Sequence, residues 1–447
     1  MSRAQNLSEI AKCFAPEPLK EAQEFRDYYC ETMEIRTARE NDSPLDSFYD
    51  ECVVPQLSNA HLLLGHRGCG KSTELNYLKQ RLEKNGHQVR VVACHTEADL
   101  QNLAHWDLLF LMGRKLLEIA QEIECPLDES TLNGMRNFWN EVEIISEMTR
   151  EKDFGGTVGT GGQTPGLLSL ILSIFGKINA SIKVGSSTCT SIREKIERRS
   201  SDWIIYLKQI SAAITDQMMG KQPIIIFEDL DKMDIEPAWQ ILGKYAGVLS
   251  QMPFPVIYTC PIGLSYDTRY AMLPGYFHDE ILPMIKIHDE SGKDFGSGLD
   301  LVKKIVFKRA KEDLFDADAL HYLIQKTGGL LRDLFKLITE AASIARRKKN
   351  EKIKMDEVQL VVAKLRSKLE RLIERKDYEM LIEIYNGLHR QIEDRAHLLT
   401  LMQAMVVLEY NGKRWHDLHP LVRDFLEDQE IVEKKDTGKK NARKKNR

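Results

Sequence analysis

No stretch of this 447-residue chain reaches the roughly 18 apolar residues that a membrane span requires. The opening residues Met1-Ser2-Arg3-Ala4-Gln5-Asn6 lack the apolar core of a secretion signal, so the expectation is a cytoplasmic protein without a membrane span. The eight cysteines, at positions 13, 30, 52, 69, 94, 125, 189 and 260, form no C-x-x-C pair. That scatter argues against zinc and disulfide frameworks alike. Nuclease, protease and signalling-domain patterns are also missing. What remains is ordinary for a soluble globular chain: 43% hydrophobic and 29% charged residues, and length enough for two or three domains. The formal net charge of −4 hides an asymmetry, because residues 434–447 carry eight basic residues against Asp436 alone. The rest of the chain is mildly acidic. The tail is either a contact for nucleic acid or another polyanion, or a disordered solubilising end.

The most informative positive feature is Gly65-His66-Arg67-Gly68-Cys69-Gly70-Lys71-Ser72-Thr73, a complete phosphate-binding loop of the Walker A kind. It stands between an apolar run, His61-Leu62-Leu63-Leu64, and an amphipathic one, Glu74-Leu75-Asn76-Tyr77-Leu78, where a strand hands over to a helix. Gly65, Gly68 and Gly70 let backbone N–H groups close around phosphates, and the helix offers them its positive N-terminus together with Thr73. Lys71 reaches the β- and γ-phosphates, and the Ser72 hydroxyl is placed to ligate Mg²⁺. The chain is therefore expected to bind a nucleoside triphosphate.

Around the loop, residues 1–59 read as mainly helical and acidic, with a turn at Asn41-Asp42-Ser43-Pro44. The first helix after the loop runs from Lys71 to about Lys84, and Gln88 to Ala93 is a second strand after the Asn85-Gly86 turn. Such alternation implies a parallel sheet. Helical periodicity follows from Glu97 to about Glu124 and from Asp128 to Thr149. The charge-poor segment Phe154-Gly155-Gly156-Thr157-Val158-Gly159-Thr160-Gly161-Gly162, with the apolar run Leu167 to Phe175 and a Ser/Thr/Gly-rich passage to Ser191, reads as an insertion. A flexible hairpin packed on the core is the favoured account; an element for self-assembly or membrane contact is the other.

A second half-site follows in Ile224-Ile225-Ile226-Phe227-Glu228-Asp229-Leu230-Asp231, a buried-strand pattern running into carboxylates, as a Walker B strand would. Glu228 is expected to face the metal and Asp229 the attacking water, although the Glu-Asp order leaves the roles open. Pro255 to Cys260 is a further strand, where Thr259 at the end is a candidate sensor of the γ-phosphate. Arg269 is either an arginine finger acting across a subunit interface or a surface charge. The apolar alternation of Met284-Ile285-Lys286-Ile287 gives the expected fifth strand, and the chain is then helical from about Leu299 to Lys368. Within it, Thr327-Gly328-Gly329-Leu330-Leu331-Arg332-Asp333-Leu334 starts a helix after a glycine break and can place Arg332 over a bound nucleotide.

Loop, acidic strand, polar strand end and glycine-arginine helix start occur in this order, and the region from about 45 to 366 resembles an AAA+ or STAND-type P-loop ATPase. The resemblance implies an α/β fold with a central parallel sheet, a helical lid closing over ATP, and Mg²⁺ as the companion ion. Gly328-Gly329-Leu330-Leu331-Arg332-Asp333 resembles the lid motif of origin-initiator ATPases, which implies an ATP-sensing role for Arg332; it departs from the STAND counterpart in having Leu331 at the proline position. Val406-Val407-Leu408-Glu409-Tyr410, Asn411-Gly412 and Lys413-Arg414-Trp415-His416 form a hairpin signal, since Asn-Gly suits a type I′ turn. Flanked by helices, it looks like a winged-helix domain. Leu418-His419-Pro420-Leu421-Val422-Arg423-Asp424-Phe425-Leu426 resembles the histidine motif that closes the STAND winged-helix domain, which makes His419 a candidate latch of the ADP-bound state. Pro420 stands where an Asp is commoner, and a structural histidine at a helix start is the alternative.

The expected division is an N-terminal helical segment (1–44), a P-loop ATPase core (45–298) with an insertion at about 150–191, a helical lid (299–367), a winged-helix-like domain (368–433) and a basic disordered tail (434–447). By this resemblance the protein is a prokaryotic ATPase in which ATP binding and hydrolysis switch lid and winged helix between two arrangements. It would act as a homo-oligomer with a separate effector protein, and its similarity to single-chain bacterial STAND and AAA+ proteins points to phage defence. The competing expectation is a DNA-binding AAA+ ATPase of the initiator, loader or transposition-regulator kind, although the wing offers only Lys413 and Arg414 as basic residues. A nucleotide-bound scaffold without turnover is a third.

Overall fold

Five apolar or half-apolar segments pair into one sheet in the order β2-β3-β4-β1-β5. They are β1 (Ala60–Gly65), β2 (Gln88–Ala93), β3 (Pro223–Glu228), β4 (Val256–Pro261) and β5 (His278–Ile281). The computed structural model describes residues 3–37, 43–54, 59–140, 167–184, 193–194, 196–388, 394–410 and 415–433. These form two units: one of Leu45–Leu64 and Leu78–Glu280, which holds most of the sheet, and one of Met1–Pro44, Gly65–Tyr77 and Ile281–Arg447.

In the sheet unit, β1, β3 and β4 are buried at every position, as continuous runs of Leu and Ile require of central strands. β2 pairs with β3 in parallel from Gln88↔Pro223 to Ala93↔Glu228, and β3 pairs with β4 in parallel from Ile225↔Val256 to Phe227↔Tyr258. Four of the strands fall where the apolar runs put them. The fifth does not: it is His278–Ile281, not Met284–Ile287, and Met284 makes only an isolated bridge to Tyr410. Edge position explains the difference, because a half-buried edge strand tolerates the polar His-Asp-Glu sequence that hides it from a periodicity search.

Four helices, His105–Glu122, Glu129–Asn140, Leu167–Val184 and Ser200–Gln217, enclose an aromatic cluster. Trp203 is fully buried, donates its indole N–H to Leu109 O at 3.0 Å, and lies against Phe138, Trp139 and Phe175. The apolar run from Leu167 thus opens a helix and not one arm of a hairpin. Ile171, Phe175, Ile178 and Ile182 recur at helical spacing and all are buried, which gives that helix a single inward face. Residues 150–166 and 185–191 of the expected insertion lie outside the described residues. Buried Asp107 accepts from Ala104 N at 2.8 Å and pairs with Arg193 at 2.6 Å. Among the described residues, no helix is long and apolar enough to cross a membrane.

In the other unit, the helices Gly296–Arg309, Ala317–Lys326, Leu331–Arg347 and Met355–Glu370 replace the long helical region with four separate rods. The Asn-Gly signal is matched by an antiparallel hairpin, β6 (Val407–Tyr410) with β7 (Trp415–Leu418), in register Val407↔Leu418 to Tyr410↔Trp415. Its turn, 411–414, and the basic run 434–447 are outside the described residues. Helices Arg395–Gln403 and Pro420–Asp428 flank it. The glycine pair before Arg332 is obligatory: a Cβ on Gly329 would stand 2.1 Å from Ile285 O, and Gly328 adopts a φ of +61° beside Pro420 and Tyr410. Tyr410 donates its hydroxyl hydrogen to Gly328 O at 2.8 Å.

One substitution and one change of condition probe these units. Gly113→Ala would set a Cβ 2.5 Å from the rigid Trp203 ring. A helix gains up to about 1 kcal/mol from Ala over Gly, whereas overpacking costs about 1–3 kcal/mol. Net destabilisation is expected in a denaturant melt. Burial pushes His66 and His419 down to about 3, with Lys71 and Lys326 respectively as lesser causes. As pH falls below the unfolded value of about 6.5, the unfolded chain takes protons that the folded chain refuses, so stability is full above that pH and is lost toward 3. Each histidine contributes a loss on the order of 2 kcal/mol by pH 5, readable as a falling melting temperature between pH 7 and 5.

Candidate functional site

The loop closes onto its own lysine. Lys71, buried at the start of the helix Lys71–Lys84, donates from Nζ to Gly65 O and His66 O, both at 2.8 Å. Gly68 and Gly70 take φ values of +83° and +111°, a region that L side chains rarely enter. A Cβ at Gly68 would meet Arg332 Cβ at 2.9 Å, and one at Gly70 would meet Arg36 Nη2 at 3.3 Å. Arg332 therefore lies against the loop, with its Nε 3.4 Å from that same point. His66 accepts the Glu409 amide hydrogen at Nε2, 2.9 Å, which ties the loop to β6. That bond leaves the imidazole proton on Nδ1.

Behind the loop stands a brace that the motif search missed. Arg36 is 1% exposed and donates to Thr32 Oγ1 at 2.8 Å, Cys69 O at 2.7 Å and Pro283 O at 2.5 Å. Glu74, on the first turn of the loop's helix, accepts hydroxyl hydrogens from Tyr29 and Thr32, both at 2.9 Å. Burial raises its pKa, and Arg36, Tyr29 and Thr32 oppose that rise. Tyr29 also stacks on Tyr77 at 4.5 Å, and Asn76 donates to Leu19 O at 3.0 Å. Thr73 accepts the Leu19 amide hydrogen at 3.4 Å, while Ser72 is half-buried at the helix start. No local motif marks Arg36, because two of its three partners come from residues 69 and 283.

In the sheet unit, Glu228 ends β3 and is buried. Asp229 follows in the left-handed region at φ +74°, a strained conformation for a non-glycine residue. Its carboxylate is held by His95 Nδ1 and by Lys232 Nζ at 2.5 Å. Burial pushes Asp229 up, and the hydrogen bonds from Lys232 and His95 more than offset it, so the carboxyl stays below its ordinary value. Thr259 fixes this turn: its hydroxyl donates to Phe227 O and accepts from Leu230 N, each at 3.1 Å. His95 is a second residue that sequence reasoning missed, since only the neighbouring of β2 and β3 brings position 95 beside 229.

The remaining expected residues have firm local partners. Arg269 pairs with Asp267 at 2.6 Å and Glu236 at 2.9 Å and covers the Trp239 ring at 4.6 Å. His419 caps the helix Pro420–Asp428, accepting the Leu421 amide hydrogen at Nδ1, 3.2 Å, and is 1% exposed. The loop's donor set fits a polyphosphate. Glycine-shaped backbone curves round a helix N-terminus, one lysine lies within it, and Arg332 and Arg36 add positive charge on its two sides.

No protein-family model matches the sequence, and no curated protein matches it. Several solved structures are similar in part. The ORC2 protein of Aeropyrum pernix in its ADP form is 11% identical, with 94% of this chain and 97% of that one covered, at a TM-score of 0.43. Cdc6p of Pyrobaculum aerophilum is 9% identical, covering 94% and 98%, at 0.38. The RuvB Holliday junction branch migration motor of Thermotoga maritima is 11% identical, covering 92% and 97%, at 0.36. The assignment of fold stands on the chain itself: a buried β1 passing through a glycine loop into the helix Lys71–Lys84, within the sheet that carries Glu228, makes this an α/β P-loop NTPase core, and the order of its motifs resembles the AAA+ origin initiators.

Proposed function

We propose that the protein binds ATP at Gly65–Thr73 and hydrolyses it as an AAA+-type molecular switch. The observation that carries this reading is the loop itself, with Lys71 buried inside it and Arg332 packed on Gly68. In this reading Lys71 would meet the β- and γ-phosphates, Ser72 and Glu228 are the residues that would hold Mg²⁺, and Asp229 would orient the attacking water. Mg²⁺ would supply charge neutralisation on the phosphate oxygens. The low pKa of Asp229 suits a group that must stay ionised to accept a hydrogen bond from water. Arg332 acts as the sensor of the γ-phosphate, since it leans on the loop from the first turn of the helix Leu331–Arg347.

The output lies in the helical lid (299–367) and the winged-helix-like region (368–433), whose arrangement would differ between the ATP and ADP forms. His66, bonded to Glu409, links loop and hairpin directly. His419, buried at the start of the last helix, is the latch candidate in this scheme. A homo-oligomer working with a separate effector, as in phage defence, is the biological setting that the STAND resemblance suggests. A second reading, a DNA-binding initiator or loader ATPase, is favoured by the hairpin between two helices and by the basic run 434–447.

Lys71→Ala is expected to lower affinity for a fluorescent ATP analogue by at least about 100-fold, the loss of a charged contact of roughly 3 kcal/mol. Wild-type affinity in that variant would remove the loop from the mechanism. Glu228→Gln and Asp229→Asn should retain ATP binding and lose phosphate release by about 100-fold or more. Equal, low release from all three proteins would identify a scaffold. Duplex DNA added to the same assay separates the two active readings: stimulation that fades steeply with salt marks the DNA-bound machine.

A further inference from the structure

Away from the phosphate loop, three metal-type side chains converge in the sheet unit. Glu51 comes from the helix Pro44–Val53, His61 from the start of β1, and His278 from the start of β5, the neighbouring strand. One ligand atom from each lies within 4.8 Å of the others. Glu51 Oε2 is 3.3 Å from His61 Nδ1, and Glu51 Oε1 is 2.7 Å from His278 Nδ1.

Hydrogen bonding does not account for this convergence. His61 is fully buried, yet neither of its ring nitrogens has a hydrogen-bond partner. The same holds for His278 Nδ1 and Glu51 Oε2, which are close to donors and acceptors but misaligned for a bond. Burial pushes His61 down to about 3, so the imidazole is neutral at pH 7, the form that ligates metals. The second nitrogen of His278 faces Glu280 Oε1 at 3.5 Å, and the Ser47 hydroxyl donates to that same oxygen at 3.3 Å. A carboxylate on the far side of an imidazole is the usual support of a metal-bound histidine.

We propose that Glu51, His61 and His278 bind one divalent transition-metal ion of the zinc type, which fastens the helix Pro44–Val53 to β1 and β5. Two imidazoles and one carboxylate suit zinc and its borderline-soft neighbours and disfavour magnesium and calcium, which take oxygen ligands. Tetrahedral bonds of about 2.0–2.1 Å require donor atoms about 3.4 Å apart, a spacing that small side-chain shifts reach from the 2.7 Å and 3.3 Å contacts of Glu51 and the 4.8 Å limit on the whole set. The fourth position falls to water, since the Glu51 and His278 side chains are 20% and 28% exposed. The scatter of the cysteines argues against a cysteine-based zinc site; this one uses none of them. It is independent of nucleotide binding.

The test uses the full chain, stripped with chelator and kept free of nucleotide and magnesium. Zinc added in excess and removed by gel filtration should leave one ion per chain by elemental analysis, and Co²⁺ should give the visible bands of a four-coordinate ion. His278→Ala and Glu51→Gln, both at partly exposed positions, should each weaken zinc binding by about 100-fold or more and abolish the cobalt bands. His321→Ala, at a partly exposed histidine elsewhere, should bind like the parent. A parent chain that retains no zinc overturns the proposal, and so does undiminished affinity in the His278 and Glu51 variants.

Discussion

A guanidinium removed from water governs the region behind the phosphate loop. Burying such an ion costs several kcal/mol unless hydrogen bonds and opposite charge replace its hydration. Arg36 obtains that replacement from three directions, Thr32, Cys69 and Pro283, and from the nearby Glu74 carboxylate. Each of those partners is in turn held. Glu74 needs Tyr29 and Thr32, and Tyr29 is pressed on Tyr77. Arg309, also buried, donates to Tyr28 O at 3.2 Å and lies between the rings of Tyr28 and Phe335. One ordering requirement thus fixes the N-terminal segment, the loop and the strand-like stretch at 283 together, and keeps the loop's backbone in the curve that an anion needs.

The acidic turn shows the same logic with opposite sign. Asp229 occupies a strained backbone conformation. Thr259 clamps the turn from below, while His95 and Lys232 hold the carboxylate from the sides. Strain of this kind persists only where the surroundings over-determine it, and here they do so with four polar contacts. The result is a carboxylate kept ionised and fixed in place by its neighbours, directly after the end of β3.

What could be read from the residues alone followed the range of the forces involved. The loop was legible because its chemistry is local: glycine φ values and one lysine suffice. Strands β1 to β4 were legible because burial on both faces leaves unbroken apolar runs. β5 was not, since an edge strand of His-Asp-Glu-Ile carries no periodic signal and competes with the more apolar Met284–Ile287 nearby. The helix Leu167–Val184 is masked by the glycine-rich stretch before it, which suggests a flexible hairpin, whereas its helical signal is the spacing of Ile171, Phe175, Ile178 and Ile182 alone. Arg36 and His95 owe their places to partners 33 and 134 residues away, and separations of that size leave no trace in a local window.

The bond from Glu409 N to His66 Nε2 spans 343 positions of the chain. The His66 carbonyl, one peptide away from that ring, also receives the Lys71 ammonium. A phosphate that drew Lys71 toward itself would release this carbonyl and let its peptide plane turn. The imidazole carried by that plane would then have to drag β6 along or let go of it. Occupancy of the glycine turn would in this way be transcribed into tension on the β6–β7 hairpin, through two atoms of a single amino acid.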